Sequence, residues 1–318
     1  MSSEGGKTAV IAALMANLGI AVTKFVAFLL TGFSSMLAES IHSVADSGNQ
    51  VLLLVGSKRA NRDATDEHPF GFGRQRYVYS FLVAVILFSL GGLFALYEAW
   101  HKFQETRGET DYDPFASQWW WVPVAVLLVA MVMEGLSFRT AVRESNKTRG
   151  KRSWVRFVKS TKSPELPVIL LEDFGALIGL SLALVGVTLM LITGNPIFDV
   201  LGSASIGVLL VVIASFLAVE MSSLLTGEAA SRQHREAILE ALLSPGVVDR
   251  VIHSRTMHLG PDELLVAAKI AVGATDSAEE VAEAINEAEA RARAAVPDLT
   301  LLMYLEPDID RGEEPAPR

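Results

Sequence analysis

The sequence contains no cysteine, which excludes disulfide bonds and thiolate metal sites. Any metal site in this chain must therefore use aspartate, glutamate, histidine or backbone oxygen as ligands. Charged residues make up only 20% of the 318 residues and hydrophobic residues 51%, and the mean hydropathy is +0.37. Because a soluble domain rarely averages so apolar, the composition favours a protein that lies largely in a membrane.

The apolar residues fall into six runs, each long enough to cross a bilayer at about 20 residues. The runs cover residues 8–30, 36–57, 77–101, 119–138, 166–192 and 196–224. After about residue 226 the pattern changes to that of a soluble segment with the order α-β-β-α-β and a turn signal at Gly260-Pro261. These patterns predict a bundle of six transmembrane helices, followed by a small α+β domain.

The domain boundaries follow from the same change of composition. We predict a transmembrane domain over residues 1–226, a cytoplasmic α+β domain over 227–310 and a disordered tail over 311–318.

The basic residues are concentrated in two connections, 58–76 and 139–162, the second of which holds nine lysines and arginines. Both read as exposed loops, and the positive-inside rule places them and both termini in the cytoplasm. Since topology accounts for this charge, we expect no nucleic-acid partner. The start of the chain lacks the pattern of a removable signal peptide, and with no targeting segment in view we expect a bacterial inner membrane.

Two clusters of ionisable side chains interrupt the apolar runs. The second run contains Glu39, His42 and Asp46, and the fifth contains Glu172 and Asp173. An ionisable group at bilayer depth costs about 2.5–3.5 kcal/mol on insertion scales, so such groups usually face a partner, a cavity or a transport pathway. At about 100° per residue, the three groups of the second run fall within one arc of about 100°.

These clusters predict a site for a divalent cation made by His42, Asp46 and Asp173, with Glu172 turning in. Zinc suits a shell of histidine and carboxylate, whereas a shell richer in oxygen favours manganese or a similar ion. Glu39 is expected to support the site or line its entrance. Lys24 and Glu134 are further ionisable residues within apolar runs, and we expect each to find polar partners between helices or at the membrane surface. Lys24 can extend toward the outer interface, and Glu134 lies near the cytoplasmic end.

With these features the chain resembles the cation diffusion facilitator family of metal transporters. The segment LTGFSSMLAESIHSVADSGNQ resembles the family's second helix, where an HxxxD pair supplies half of the transport site, and DEHPFGFGRQRYVY resembles its entry to the third helix. The six spans and the α-β-β-α-β segment are similar to the family's membrane domain and its metallochaperone-like, ferredoxin-like C-terminal domain.

The fifth span departs from the family pattern of a second HxxxD pair. Ile169 fills the histidine position, whereas Asp173 is kept. The segment LLEDFGAL resembles the branch that contains zinc transporter 9, so the resemblance carries over a site of His42, Asp46 and Asp173, and we infer Glu172 as the replacement for the missing imidazole.

Accessory sites of the family are not expected here. Phe72 stands where some members have a metal-binding histidine, and their cytoplasmic ligands align with Lys269 and Tyr304, which are poor zinc ligands. The resemblance therefore implies a single site per chain and no zinc cluster in the cytoplasmic domain. It also suggests an ion pair of Arg74 with Glu228.

The resemblance implies a transporter rather than an enzyme, with no cofactor beyond the transported ion. We expect efflux of a divalent cation, zinc first, in exchange for protons, by a homodimer in a lipid bilayer. Manganese, iron(II), cobalt or nickel on the same scaffold is an alternative, and so is a membrane protein that senses metal or holds a partner without transport. A membrane metalloenzyme fits poorly, because the site shows no extra acid or nucleophile.

Overall fold

The structure is a computed structural model that describes residues 3–106, 118–243, 248 and 250–309. The predicted tail over 311–318 lies outside the described residues. The helical part of the chain contains α1 (Ser3–Thr31), α2 (Ser34–Ala60), α3 (Gln75–Leu82), a π-helical segment (Val83–Phe88), α4 (Ser89–Thr106), α5 (Val122–Arg149), α6 (Trp154–Ser160), α7 (Glu165–Thr193) and α8 (Ile197–Thr226).

Four helical stretches of the described chain are long and apolar enough to cross a membrane. They are Gln75–Thr106, which joins α3, the π-helical segment and α4, and the helices α5, α7 and α8. The predicted helical membrane domain is confirmed at this level. α1 and α2 have 29 and 27 residues, but the described apolar part of α1 is short (Asn17–Thr31), and α2 carries many polar side chains.

The short connections between long helices depend on glycine. Gly32 separates α1 from α2 with φ 70°, and Gly194 ends α7 with φ 68°, a left-handed conformation that other residues rarely adopt. The Gly194 N–H donates to the Met190 carbonyl at 2.8 Å, which satisfies a carbonyl at the C-terminal end of α7. The chain can therefore reverse within a few residues at these two points.

The prediction of an exposed loop over 139–162 is wrong for most of its length. α5 continues to Arg149, and the short helix α6 follows after Ser153, whose side-chain oxygen caps it. Phe157 and Val158 of α6 are buried in a cluster with side chains of α5 and α7. The four apolar residues of this seven-residue helix stand in a basic stretch and are too few to show a helical period, so the sequence pattern concealed the helix.

The C-terminal part forms a small sheet with two helices. Its elements are α9 (Arg232–Leu242), β1 (Arg250–Gly260), β2 (Glu263–Val272), α10 (Ala278–Ala295) and β3 (Thr300–Ile309). β2 lies between β1, which is antiparallel to it, and β3, which is parallel. The predicted order α-β-β-α-β is confirmed, and β1 ends at the predicted turn signal.

The chain divides into two compact units. One contains the residues up to Ser57 together with Val78–Met221, and the other contains Lys58–Tyr77 together with the residues from Ser222 onward. The basic connection after α2 thus belongs with the C-terminal unit. Within that unit Arg76 forms an ion pair with Asp262 at 3.0 Å. The boundary at 226/227 stays a prediction.

Candidate functional site

The polar face of α2 is buried in the membrane unit. His42 and Asp46 lie one turn apart, and the His42 Nδ1 atom is 3.6 Å from the Asp46 Oδ1 atom. Only 3% of His42 and 6% of Asp46 is exposed. The spacing of four residues, which places two side chains on one helix face, therefore produces the pair that the sequence predicts.

The acidic pair on α7 divides between two neighbours. The Glu172 carboxyl group lies next to the side chains of Asp46 and Asn49 on α2. Asp173 instead accepts a hydrogen bond from the Ser137 hydroxyl of α5, with an Oγ–Oδ2 distance of 3.0 Å. Adjacent residues on a helix diverge by about 100°, so the two carboxyl groups face different helices.

Asp46 therefore lies next to both His42 and Glu172. Asp173 instead faces α5. Among the described residues, no three histidine, aspartate or glutamate side chains are close enough together to hold a metal ion. A divalent cation bound by all four predicted residues would need their side chains to lie closer together than they do in this structure. The assignment of these residues as ligands stays a prediction.

Several polar atoms of this region have no hydrogen-bond partner among the described residues. They include the buried His42 Nε2 atom and the buried Asp46 Oδ1 atom, whose distance of 3.6 Å from His42 Nδ1 is too long for a hydrogen bond. A buried polar atom without a partner costs about 1–3 kcal/mol. Neutral imidazole nitrogen and carboxylate oxygen are ligands of divalent cations, so the open atoms fit a site whose occupant is a cation.

A second ionic contact lies one turn before His42. The Lys24 ammonium of α1 contacts the Glu39 carboxylate of α2 at 2.9 Å and donates to the Ser43 hydroxyl at 2.9 Å. Of the two expected environments for Lys24, the structure shows the helix interface and not the outer surface, since only 1% of the residue is exposed. Lys24 is satisfied between helices because a carboxylate on α2 is within its reach.

The start of α2 is held by α8. The Asp199 carboxylate accepts hydrogen bonds from the backbone N–H of Ser34 at 2.7 Å and of Ser35 at 3.3 Å, and from both serine hydroxyls. The first N–H groups of a helix have no partner within the helix, and an anion also suits the positive end of the helix dipole. Asp199 therefore fixes the end of the helix that carries His42 and Asp46.

Sequence reasoning missed three of these side chains. Asn49 follows Asp46 by three residues on the same face of α2, which is a signal that the sequence contains. Ser137 and Asp199 left no comparable signal, because their partners lie 36 and 165 residues away in the chain.

The accessory positions have other contacts. Phe72 packs against His68, with ring centroids 4.6 Å apart and the rings tilted by 30°. The Lys269 ammonium contacts Asp308 at 2.9 Å and Glu306 at 3.1 Å, and the hydrogen bond to Asp308 is the first cause of a raised Lys269 pKa. A charged lysine has no lone pair for a metal, so Lys269 is no ligand in this state.

Arg74 has a sulfur contact in the C-terminal unit. Its Nη2 atom lies 3.1 Å from the Met257 sulfur, and the backbone carbonyl of Glu228 accepts from the His258 N–H at 2.9 Å. The ion pair of Arg74 with Glu228 stays a prediction.

The fold and the buried polar face define a helical membrane protein with ionisable side chains inside its bundle and a small α+β domain after it. The family model described as the cation efflux transmembrane domain matches residues 10–226. The chain belongs to the cation efflux family, which confirms the resemblance and identifies the chain as a member of a transporter family rather than an enzyme family.

The relatives include the proton-coupled zinc antiporter SLC30A9, mitochondrial, of Mus musculus and of Homo sapiens. Each is 32% identical over 232 residues, which is 72% of this chain and 39% of the relative. The metal tolerance protein C4 of Arabidopsis thaliana is 27% identical over 272 residues, 85% of this chain and 58% of the relative. This agrees with the predicted branch of the family.

The chain spans about two fifths of the length of the SLC30A9 relatives. The relatives described above are named as mitochondrial or come from a plant. They therefore give no support to the expectation of a bacterial inner membrane.

Proposed function

We propose that the chain carries a divalent cation, zinc first, out of the cytoplasm in exchange for protons. The site would consist of His42, Asp46 and Asp173, with Glu172 as the fourth ligand. The observation that supports this most is the buried His42–Asp46 pair beside Glu172, in which the His42 Nε2 atom has no hydrogen-bond partner among the described residues. The names of the SLC30A9 relatives as proton-coupled zinc antiporters agree with it.

The coupling to protons follows from the chemistry of the ligands. A cation needs neutral imidazole and ionised carboxylates, whereas protons compete for the same atoms, so metal binding releases protons. In the empty site the neighbouring carboxyl groups of Asp46 and Glu172 repel each other when both are ionised. Either a cation or a proton relieves this repulsion, which favours their alternate occupation of the site.

The membrane topology belongs to the proposal. We infer six spans, with α1 and α2 added to the four apolar stretches, because helices of 29 and 27 residues reach across a bilayer of about 30 Å. The polar residues of α2 are compatible with a span because they are buried in the unit. Both termini would then be cytoplasmic, and a homodimer follows only from the family resemblance.

The test is metal flux in proteoliposomes that hold a zinc dye or a pH dye. Zinc entry with opposite proton movement is expected for the wild type, and flux should fall to background in His42→Ala, Asp46→Ala and Asp173→Ala. Glu105→Ala is the matched control, since this carboxylate lies exposed at the end of α4. Wild-type flux in any of the three variants would remove that residue from the site.

The choice of metal and the alternative function are resolved by the same assay. Manganese, iron(II), cobalt or nickel would each suppress zinc flux only if it uses the site. Metal binding without flux for every ion would contradict transport and favour a sensor or scaffold.

A further inference from the structure

The ion pair of Lys24 with Glu39 is not used by the proposed transport site. Both side chains are buried: 1% of the Lys24 side chain and 0% of the Glu39 side chain is exposed. Desolvation of two charges opposes such a pair, and a well-packed apolar pair is often as stable or more stable. Stability alone therefore gives little reason for a lysine and a glutamate at these positions inside the membrane unit.

Only one oxygen of Glu39 is occupied by the lysine. Lys24 contacts the Oε2 atom at 2.9 Å, whereas the Oε1 atom is buried and accepts no hydrogen bond within the described part of the chain. This open oxygen lies beside Gly179 of α7, where an added Cβ would stand 3.0 Å from it. The glycine thus leaves space around a carboxylate oxygen that has no hydrogen-bond partner among the described residues.

Glu39 also lies beside the proposed path of the ion. It precedes His42 by three residues, which is about 4.5 Å along the axis of α2, and the two side chains are close enough to interact electrostatically. A cation that leaves His42 toward this end of α2 therefore meets Glu39 next. The Lys24 ammonium, which also donates to Ser43, stands at the same point.

We propose that Glu39 is a second, transient binding site for the transported divalent cation. When no metal ion is bound there, the Lys24 ammonium group neutralises the Glu39 carboxylate. The inference rests on the proposed function, since it needs an ion at His42 and Asp46. A divalent cation and an ammonium group repel at such distances. The ion can bind Glu39 only while Lys24 withdraws, and the return of Lys24 displaces the ion.

The first variant is Lys24→Met, which removes the charge and keeps the length of the side chain. The ion then has no competitor at Glu39, so we expect zinc to bind about tenfold more tightly and maximal flux to fall by a similar factor. Zinc affinity is measured by calorimetry on the purified chain, and flux is measured in proteoliposomes. In a Glu39→Gln background the same substitution should change neither quantity.

The second variant, Lys24→Arg, separates this role from a structural one. A guanidinium group keeps the charge and binds both oxygens of a carboxylate, so it should hold Glu39 closed. We expect the Lys24→Arg protein to fold and to bind zinc no more tightly than the wild type, but to transport it at least about fivefold more slowly. A merely structural ion pair would tolerate arginine with normal flux.

Three outcomes would overturn the inference. They are wild-type flux in Lys24→Arg, unchanged affinity and flux in Lys24→Met, and an effect of Lys24→Met that persists in the Glu39→Gln background. A wild-type chain that neither binds nor moves any divalent metal would overturn the proposed function as well. Zinc flux that depends on Asp46 but not on the charge of Lys24 would overturn the inference alone.

Discussion

The contact of Asp199 with the start of α2 gives the most direct prediction of stability. Asp199 is 1% exposed, and it accepts the backbone N–H groups of Ser34 and Ser35 as well as both hydroxyls. In Asp199→Ala the hydroxyls can turn to other acceptors, since Ser34 Oγ already lies 2.9 Å from Ser203 Oγ. The two N–H groups cannot turn, because the helix holds them in place.

The magnitude follows from these two orphaned donors. Each buried N–H without an acceptor costs about 1–3 kcal/mol, so Asp199→Ala should lower the free energy of unfolding by about 2–6 kcal/mol. Asp199→Asn keeps one acceptor oxygen and should lose about half as much. Ser205→Ala is the matched control on α8, because the exposed Ser205 hydroxyl donates to the Leu201 carbonyl of its own helix and so holds no other helix in place.

The assay is pulse proteolysis of the purified chain in mild detergent with increasing denaturant, supported by hydrogen exchange at the first turn of α2. We expect exchange to rise there first in Asp199→Ala. An Asp199→Ala protein within about 0.5 kcal/mol of Ser205→Ala, the usual range for neutral surface changes, would refute the reasoning.

Three further predictions concern packing, capping and charge. In Gly186→Ala the new Cβ would stand 2.7 Å from a backbone carbonyl of α8, so α7 and α8 must separate, which costs about 1–3 kcal/mol. Gly135→Ala is the control in the same unfolding assay and should cost nothing, because no described atom lies within 4 Å of the added Cβ. Ser277→Ala removes the capping box of α10 and should lower the stability of the C-terminal unit by about 0.5–2 kcal/mol. Hydrogen exchange in the first turn of α10 should become faster, and unchanged exchange would contradict this prediction. Burial raises the Glu263 pKa, with Asp262 adding to the shift, so the folded chain loses stability as the pH rises from the usual carboxyl range through the raised value. Glu263→Gln should therefore raise the thermal midpoint of the C-terminal unit at about pH 7.5 but not at about pH 4, and an equal shift at both would argue against the burial of its charge.

Much of the fold was predictable because the forces involved act along the chain. The apolar stretch Gln75–Thr106 and the helices α5, α7 and α8 have the length that a bilayer requires, and a turn signal separates β1 from β2. The short helix α6 was not predictable in this way, since its two buried residues depend on α5 and α7 for their partners.

The same division holds within the site. The period of 3.6 residues per turn places His42 one turn from Asp46 wherever α2 is helical, so the sequence by itself determined this pair and the divergence of Glu172 from Asp173. Only the tertiary structure decided that Asp173 meets Ser137, that Lys24 meets Glu39 and that Asp199 holds Ser34. Those contacts join different helices, and they depend on the rotation and depth of each helix in the bundle, which no local pattern encodes.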